Sequence, residues 1–212
     1  MAFLLHRKAT LKISEVNYMK YTHITISREY GSGGRLIAEQ AAKKLSIPLY
    51  DKKAIQETSD QSGLLASCIE ESESRTASLL YNIYLNSQTT TVNDQAFMAQ
   101  ANAIEKLSRQ GHSVFLGNCS DYILRDNQNV LKVFIYAPVF EKIERLKSIY
   151  GEPDNISVAY LKKYDKKRAA YYNYYAINRQ WGEPRNYHLM INSTIGIEES
   201  TQLIVNAFLG RR

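Results

Sequence analysis

The chain has 212 residues, 44% hydrophobic and 23% charged, with a net charge of +6, a composition that fits a globular chain with one substantial core and excludes a disordered or fibrous one. Its two cysteines, Cys68 and Cys119, lie far apart without metal-ligand spacing, which excludes a disulfide framework and a structural zinc site and points to a reducing, cytoplasmic location. The apolar run at residues 1–5 falls short of the ~7–15 residues of a secretory segment, and no stretch reaches the ~18–20 of a membrane span, so no membrane partner is expected.

Residues 1–21 precede the first strand pattern and read as an N-terminal extension to a single domain over 22–212. Short β-type runs at 23–26, 47–50, 113–116, 131–137 and 188–191 alternate mostly with longer helical patterns, which predicts an α/β fold with a mostly parallel sheet covered on both faces. The first helix spans 34–45, with Ile37, Ala41 and Leu45 on one stripe and Ala38 and Ala42 beside it. Residues 52–95 break the alternation with a polar, acid-bearing stretch that reads as a helical insertion with a loop. A helix over 96–110 follows, with Gly111 in the position of a C-terminal cap. A last informative helix covers 160–180. At 100° per residue Leu161, Tyr164, Asp165, Arg168, Tyr171, Tyr172 and Tyr175 share one arc, while Lys162, Lys163, Lys166 and Lys167 face water.

The chemistry concentrates after the first strand, in Ser27-Arg28-Glu29-Tyr30-Gly31-Ser32-Gly33-Gly34-Arg35. A glycine-rich turn running directly into a helix gathers backbone N–H groups at the positive end of the helix dipole, where an anion binds. Glycine permits the required positive φ and a close backbone approach. Arg28 and Arg35 flank the turn and can add charge-assisted hydrogen bonds to phosphate oxygens. Most of the basic excess lies elsewhere, in 160–185, where seven Lys or Arg face Asp165 and Glu183; such a surface draws in a nucleotide or another polyanion.

Residues 24–45, continued by Ile47-Pro48-Leu49-Tyr50-Asp51-Lys52, resemble the N-terminal motif of the cytidylate kinase-like family of P-loop kinases. Phe115-Leu116-Gly117-Asn118-Cys119-Ser120-Asp121-Tyr122-Ile123-Leu124 is similar to the family's third-strand segment. Tyr164-Asp165-Lys166-Lys167-Arg168-Ala169-Ala170-Tyr171-Tyr172, with Trp181-Gly182 and residues 187–192, resembles its lid and last strand. The resemblance implies a three-layer P-loop kinase-like fold with a five-stranded parallel sheet, an acceptor-binding insertion at 52–95 and a lid at 158–185. It implies an NTP such as ATP, with Mg²⁺, as phosphoryl donor and a nucleotide or similar small acceptor as substrate. Arg168 takes the place of a lid arginine, with Arg179 as a second candidate and Asp165, three residues before Arg168, as its orienting partner. Asp51, Arg75 and Asn118 are the candidates on the acceptor side, and Arg28, Tyr30, Gly31, Ser32, Gly33, Gly34 and Arg35 on the phosphate side.

The pattern also departs from the ordinary P-loop G-x-x-x-x-G-K-[ST]. Gly34 stands at the lysine position and is followed by Arg35 and Leu36, so neither the ammonium nor the metal-holding hydroxyl is present; Arg28 replaces the first glycine. Where cytidylate kinases have Gly-Arg-Asp, this chain has Gly117-Asn118-Cys119. No histidine shows metal-ligand spacing, and the metal ligands stay unassigned. A catalytically inactive nucleotide-binding module is therefore the alternative to a kinase. Nucleic acid on the lysine face of 160–180 is a third reading, and no nucleic-acid partner is expected.

Overall fold

A computed structural model describes residues 20–61, 92–153 and 156–211. Five strands, β1 (His23–Arg28), β2 (Leu49–Tyr50), β3 (Ser113–Leu116), β4 (Val130–Tyr136) and β5 (Leu189–Asn192), form one all-parallel sheet in the order β2-β3-β1-β4-β5. β1 is central, with Ile26 opposite Leu116 of β3 and Val133 of β4. Because both faces are covered, its residues from His23 to Ser27 are all buried. β1 runs two residues past the expected Ile26, since Ser27 and Arg28 stay paired with Phe134 and Ile135. β2, an edge strand entered from Pro48, keeps only two of its expected residues.

Seven α-helices lie among the described residues: α1 (Gly34–Leu45), α2 (Lys52–Gln61), α3 (Val92–Ser108), α4 (Ser120–Ile123), α5 (Val139–Ser148), α6 (Val158–Tyr175) and α7 (Ile197–Leu209). Ile37, Ala41 and Leu45 of α1 pack with Ile204 and Phe208 of α7 against Ile24, Ile26 and Val133 on one face of the sheet. On the other face Phe97 and Ile104 of α3, Tyr122 of α4 and Tyr172 and Tyr175 of α6 close over Phe115. Each fully buried Ile, Leu, Val or Phe among them contributes roughly 1.5–3 kcal/mol. α1 occupies its expected residues because both ends are marked: Gly33 enters it at φ 78, and Ser46 leaves it at φ 53, returning its N–H to Ala42 O and Lys43 O.

Helix boundaries also differ from expectation. α6 stops at Tyr175 instead of 180, because Ala176 leaves the helical region at ψ 80, Asn178 is left-handed at φ 59, and Asn173 Oδ1 accepts the Trp181 N–H, folding the chain back. α3 starts at Val92, four residues early, and ends at Ser108; Gly111 lies beyond it at φ 139, outside the left-handed cap region. Within the insertion the first ten residues form α2, and Arg75 lies outside the described residues.

β1 and β3 are neighbours whose outgoing connections run to opposite sides of the sheet, β1 toward β2 and β3 toward β4. Ligands of open parallel sheets bind in the crevice at such a switch point, and the glycine loop and Gly117-Asn118-Cys119 both lie there.

Candidate functional site

The loop between β1 and α1 is clasped on two sides. Gly31 and Gly33 have φ 76 and 78; a Cβ on Gly31 would come 3.1 Å from both Leu146 Cδ1 and Lys142 Cβ of α5, and one on Gly33 would come 2.6 Å from Ile197 Cδ1 of α7. The glycines are thus required by positive φ and by close packing. Arg145 Nη1 donates to Gly31 O at 2.8 Å, and Ser193 Oγ donates to Ser32 O at 2.7 Å. The Ser32 hydroxyl donates to Glu29 O at 2.9 Å, so it closes the loop itself. Among the described residues no side chain caps α1, whose first amides lack intrahelical partners, an arrangement that suits an anion.

Arg28 leaves β1 and crosses Gly34, where a Cβ would sit 2.6 Å from Arg28 Cβ. Its guanidinium ends at Gly117, where Nη1 fills the space of an added methyl. Gly34 at the lysine position therefore makes room for the arginine side chain, and Gly117 for its head. Arg168 on α6 donates from Nη1 to Arg28 O at 2.9 Å and lies over the Tyr30 ring, 5.5 Å from its centroid. Burial, reinforced by Arg168 and Arg35, pushes the Arg28 pKa down to about 9. Burial also lowers that of Arg168, partly offset by Asp165. Among the described residues neither arginine has a carboxylate within ion-pair distance. Clustered guanidinium groups of this kind gain from a bound anion.

Asp165 does not pair with Arg168 as expected. Its Oδ1 accepts the Tyr30 N–H at 2.7 Å, and its Oδ2 meets Lys142 Nζ at 3.3 Å. Lys142, 5% exposed, also meets Glu29 Oε2 at 2.6 Å. The Tyr30 ring stacks on Tyr164, centroids 4.3 Å apart. Loop, α5 and α6 are thereby joined through one buried ammonium and one aromatic stack. Sequence reasoning missed Lys142 and Arg145; their signal was two cations three apart on a helix following the fourth strand.

Two cavities meet at the arginines. One of about 310 Å³ is lined by the loop from Arg28 to Arg35, with Tyr150, Glu152 and Arg168. The other, about 350 Å³, is lined by Arg28, Lys52, Gln100, Asn118, Arg168 and Trp181, among others. Arg28 and Arg168 belong to both. Asn118, in the left-handed region at φ 56, lines the second cavity, and its buried Nδ2 has no hydrogen-bond partner among the described residues. Lys167, expected to face water, borders this cavity too. Beneath it Asp121 is 1% exposed, with Tyr172 OH donating to Oδ2 at 2.7 Å and Ser27 Oγ to Oδ1 at 3.4 Å; burial raises the Asp121 pKa.

Two expected residues lie apart. Asp51 lines neither cavity: its Oδ1 accepts the Lys53 and Ala54 N–H groups as the cap of α2, and its Oδ2 pairs with Arg35 at 3.2 Å. Arg179, beyond the end of α6, stacks 5.6 Å over Tyr122 and lines neither cavity. The loop residues suit a phosphate chain, with open helix amides and, in Arg28 and Arg168, guanidinium groups without a carboxylate partner among the described residues. They do not suit a protein-held magnesium ion, because each nearby carboxylate is engaged by a cation, backbone N–H groups or tyrosine hydroxyls.

A five-stranded parallel sheet in this order, with a glycine loop at its switch point, defines a P-loop kinase-like α/β protein. The model of the cytidylate kinase-like family matches residues 23–195, and the chain belongs to that family. The crystal structure of an uncharacterized protein from Eubacterium ventriosum ATCC 27560 superposes with a TM-score of 0.67 at 27% identity, covering 89% of this chain and 99% of that one. A gluconokinase from Sinorhizobium meliloti 1021 shares the fold with a TM-score of 0.52 at 14% identity, over 89% of this chain and 91% of that one. Shikimate kinase from Acinetobacter baumannii in complex with shikimate does so with a TM-score of 0.50 at 13% identity, over 92% and 97%. Comparison with curated proteins found no match. No helix among the described residues is long and apolar enough to cross a membrane.

Proposed function

We propose that the protein is a phosphotransferase that moves a phosphoryl group from ATP or another NTP to a nucleotide or related small acceptor. The observation that carries this reading is the pair of adjoining cavities, one on the glycine loop and one beside Asn118, that share Arg28 and Arg168. Phosphoryl transfer needs chiefly in-line positioning and positive charge around the moving group. Two guanidinium groups common to donor and acceptor spaces supply both. The donor's phosphates lie against the first amides of α1 and Arg35, and the acceptor lies among Lys52, Gln100, Asn118 and Trp181. Asp165 holds the Tyr30 amide and Lys142, and so keeps α6 seated on the loop with Arg168 in place. P-loop kinases generally take their nucleotide with Mg²⁺, which supplies charge stabilisation to the phosphates when bound. The cytoplasm, where NTPs are plentiful, is the compartment this reading requires.

Gly34 and Arg35, in place of the lysine and the hydroxyl, favour one second reading, a nucleotide-binding module without turnover. A single experiment separates the two: radiolabelled γ-phosphoryl transfer from ATP and GTP to a panel of nucleosides, nucleotides and small metabolites, with Arg168→Ala beside it. Transfer lost in Arg168→Ala supports the kinase. Nucleotide binding with no transfer to any acceptor supports the module.

A further inference from the structure

We propose that the donor's phosphate chain binds to this protein without a divalent metal ion, the guanidinium groups of Arg28, Arg35 and Arg168 neutralising it instead. The proposal rests on the reading that the loop cavity holds an NTP. It concerns binding and leaves the transfer step aside.

Magnesium is ordinarily held in phosphate sites by one or two carboxylate or hydroxyl oxygens together with the phosphates themselves. Among the described residues around this loop, each such group already carries a partner. Arg35 replaces the hydroxyl residue, and the Ser32 hydroxyl donates within the loop to Glu29 O. Glu29 accepts the Ala137 N–H and pairs with Lys142, which also pairs with Asp165. Asp51 and Glu39 both pair with Arg35. Asp121 is buried beneath the neighbouring cavity with its carboxylate on Tyr172 and Ser27. Glu152 lines the donor cavity, where Tyr30 OH donates to its Oε1 at 3.1 Å and Tyr160 OH to its Oε2 at 3.5 Å. No group of three or more His, Cys, Asp or Glu able to hold a metal occurs among the described residues.

The cations show the converse. Arg28 and Arg168 border the donor cavity without a carboxylate partner among the described residues, and Arg28 carries its charge against burial and against two like neighbours. Arg35 lines the same cavity, and its two ion pairs are exposed, worth about 0–1 kcal/mol each, so a phosphate can displace them. Three planar forks suited to bidentate phosphate contacts converge where other P-loops use one ammonium and one metal ion.

Isothermal titration with ATP, GTP and inorganic tripolyphosphate, each in EDTA and again in excess Mg²⁺, tests the proposal. The expected result is a Kd in EDTA within about threefold of that in Mg²⁺, and a loss of about tenfold or more, equivalent to about 1.4 kcal/mol, in Arg35→Ala and in Arg168→Ala, with folding checked by thermal denaturation. Binding more than about tenfold weaker in EDTA overturns the proposal and leaves the donor reading intact. Should that metal dependence vanish in Glu152→Gln, Glu152 is the ligand, which overturns it equally. Absence of binding by ATP and GTP in both media overturns the donor reading itself.

Discussion

Replacing Lys142 by methionine should destabilise the protein by about 3 kcal/mol. The ammonium is 7% exposed at its side chain and meets Glu29 Oε2 at 2.6 Å and Asp165 Oδ2 at 3.3 Å. Methionine keeps most of the stem that packs beside Gly31 and removes only the charge. Taking one partner from a buried ion pair costs about 3–5 kcal/mol because the other charge is left uncompensated. Here the carboxylates keep a hydrogen bond each, from Ala137 N and Tyr30 N, and are 27% and 18% exposed, which places the cost at the lower end. Against the 5–15 kcal/mol usual for a domain this is readily measured by urea denaturation at pH 7. Adding Asp165→Asn should recover part of the loss, since one of the two stranded charges is then gone. A loss below about 1 kcal/mol, or no recovery in the double variant, would refute the assignment of Lys142 as the clasp between loop and α6.

Gly117→Ala should cost about 1–2 kcal/mol for a side chain held at φ 78, and the added methyl displaces the Arg28 guanidinium; tripolyphosphate affinity should fall about tenfold, read by calorimetry, and unchanged affinity would remove Arg28 from the site. Tyr172→Phe strips the buried Asp121 of its 2.7 Å donor and should cost about 1–3 kcal/mol in urea denaturation. His23, buried and near His112, has its pKa lowered from 6.5 to about 4. The unfolded chain therefore binds the proton first, and stability present above pH 6.5 is lost progressively as pH falls toward 4. His23→Gln, which cannot take up the proton, should flatten that part of the stability profile between pH 7 and 4.5.

The contacts around the loop bear on how a nucleotide site can tolerate the loss of its lysine. In an ordinary P-loop the lysine enters from the first turn of the helix. Here the charge enters from the strand side, because Arg28 extends β1 by pairing with Ile135 and then turns over Gly34. A lysine or any larger side chain at 34 would collide with it, so the two substitutions depend on each other.

Local pattern determined much of this protein. The stripe Ile37, Ala41 and Leu45, entered from the glycine-rich turn, fixed α1 to the residue, because helix periodicity acts within a few positions. Strand runs alternating with helices were enough for the parallel sheet, and the glycine run for the loop at its switch point. Only tertiary structure decided which charges meet there. Asp165 lies three residues from Arg168, yet its carboxylate goes to Tyr30 and Lys142, on elements 135 and 23 residues away. Asp51 became a helix cap, Arg179 left the site where α6 ends early, and Lys167, exposed as its helical arc implied, also borders a cavity. Spacing along a helix states which side chains are neighbours on its surface, whereas partners are chosen by what the fold packs against that surface, and a buried ammonium from α5 outcompetes a local arginine for an acid it can reach in low dielectric.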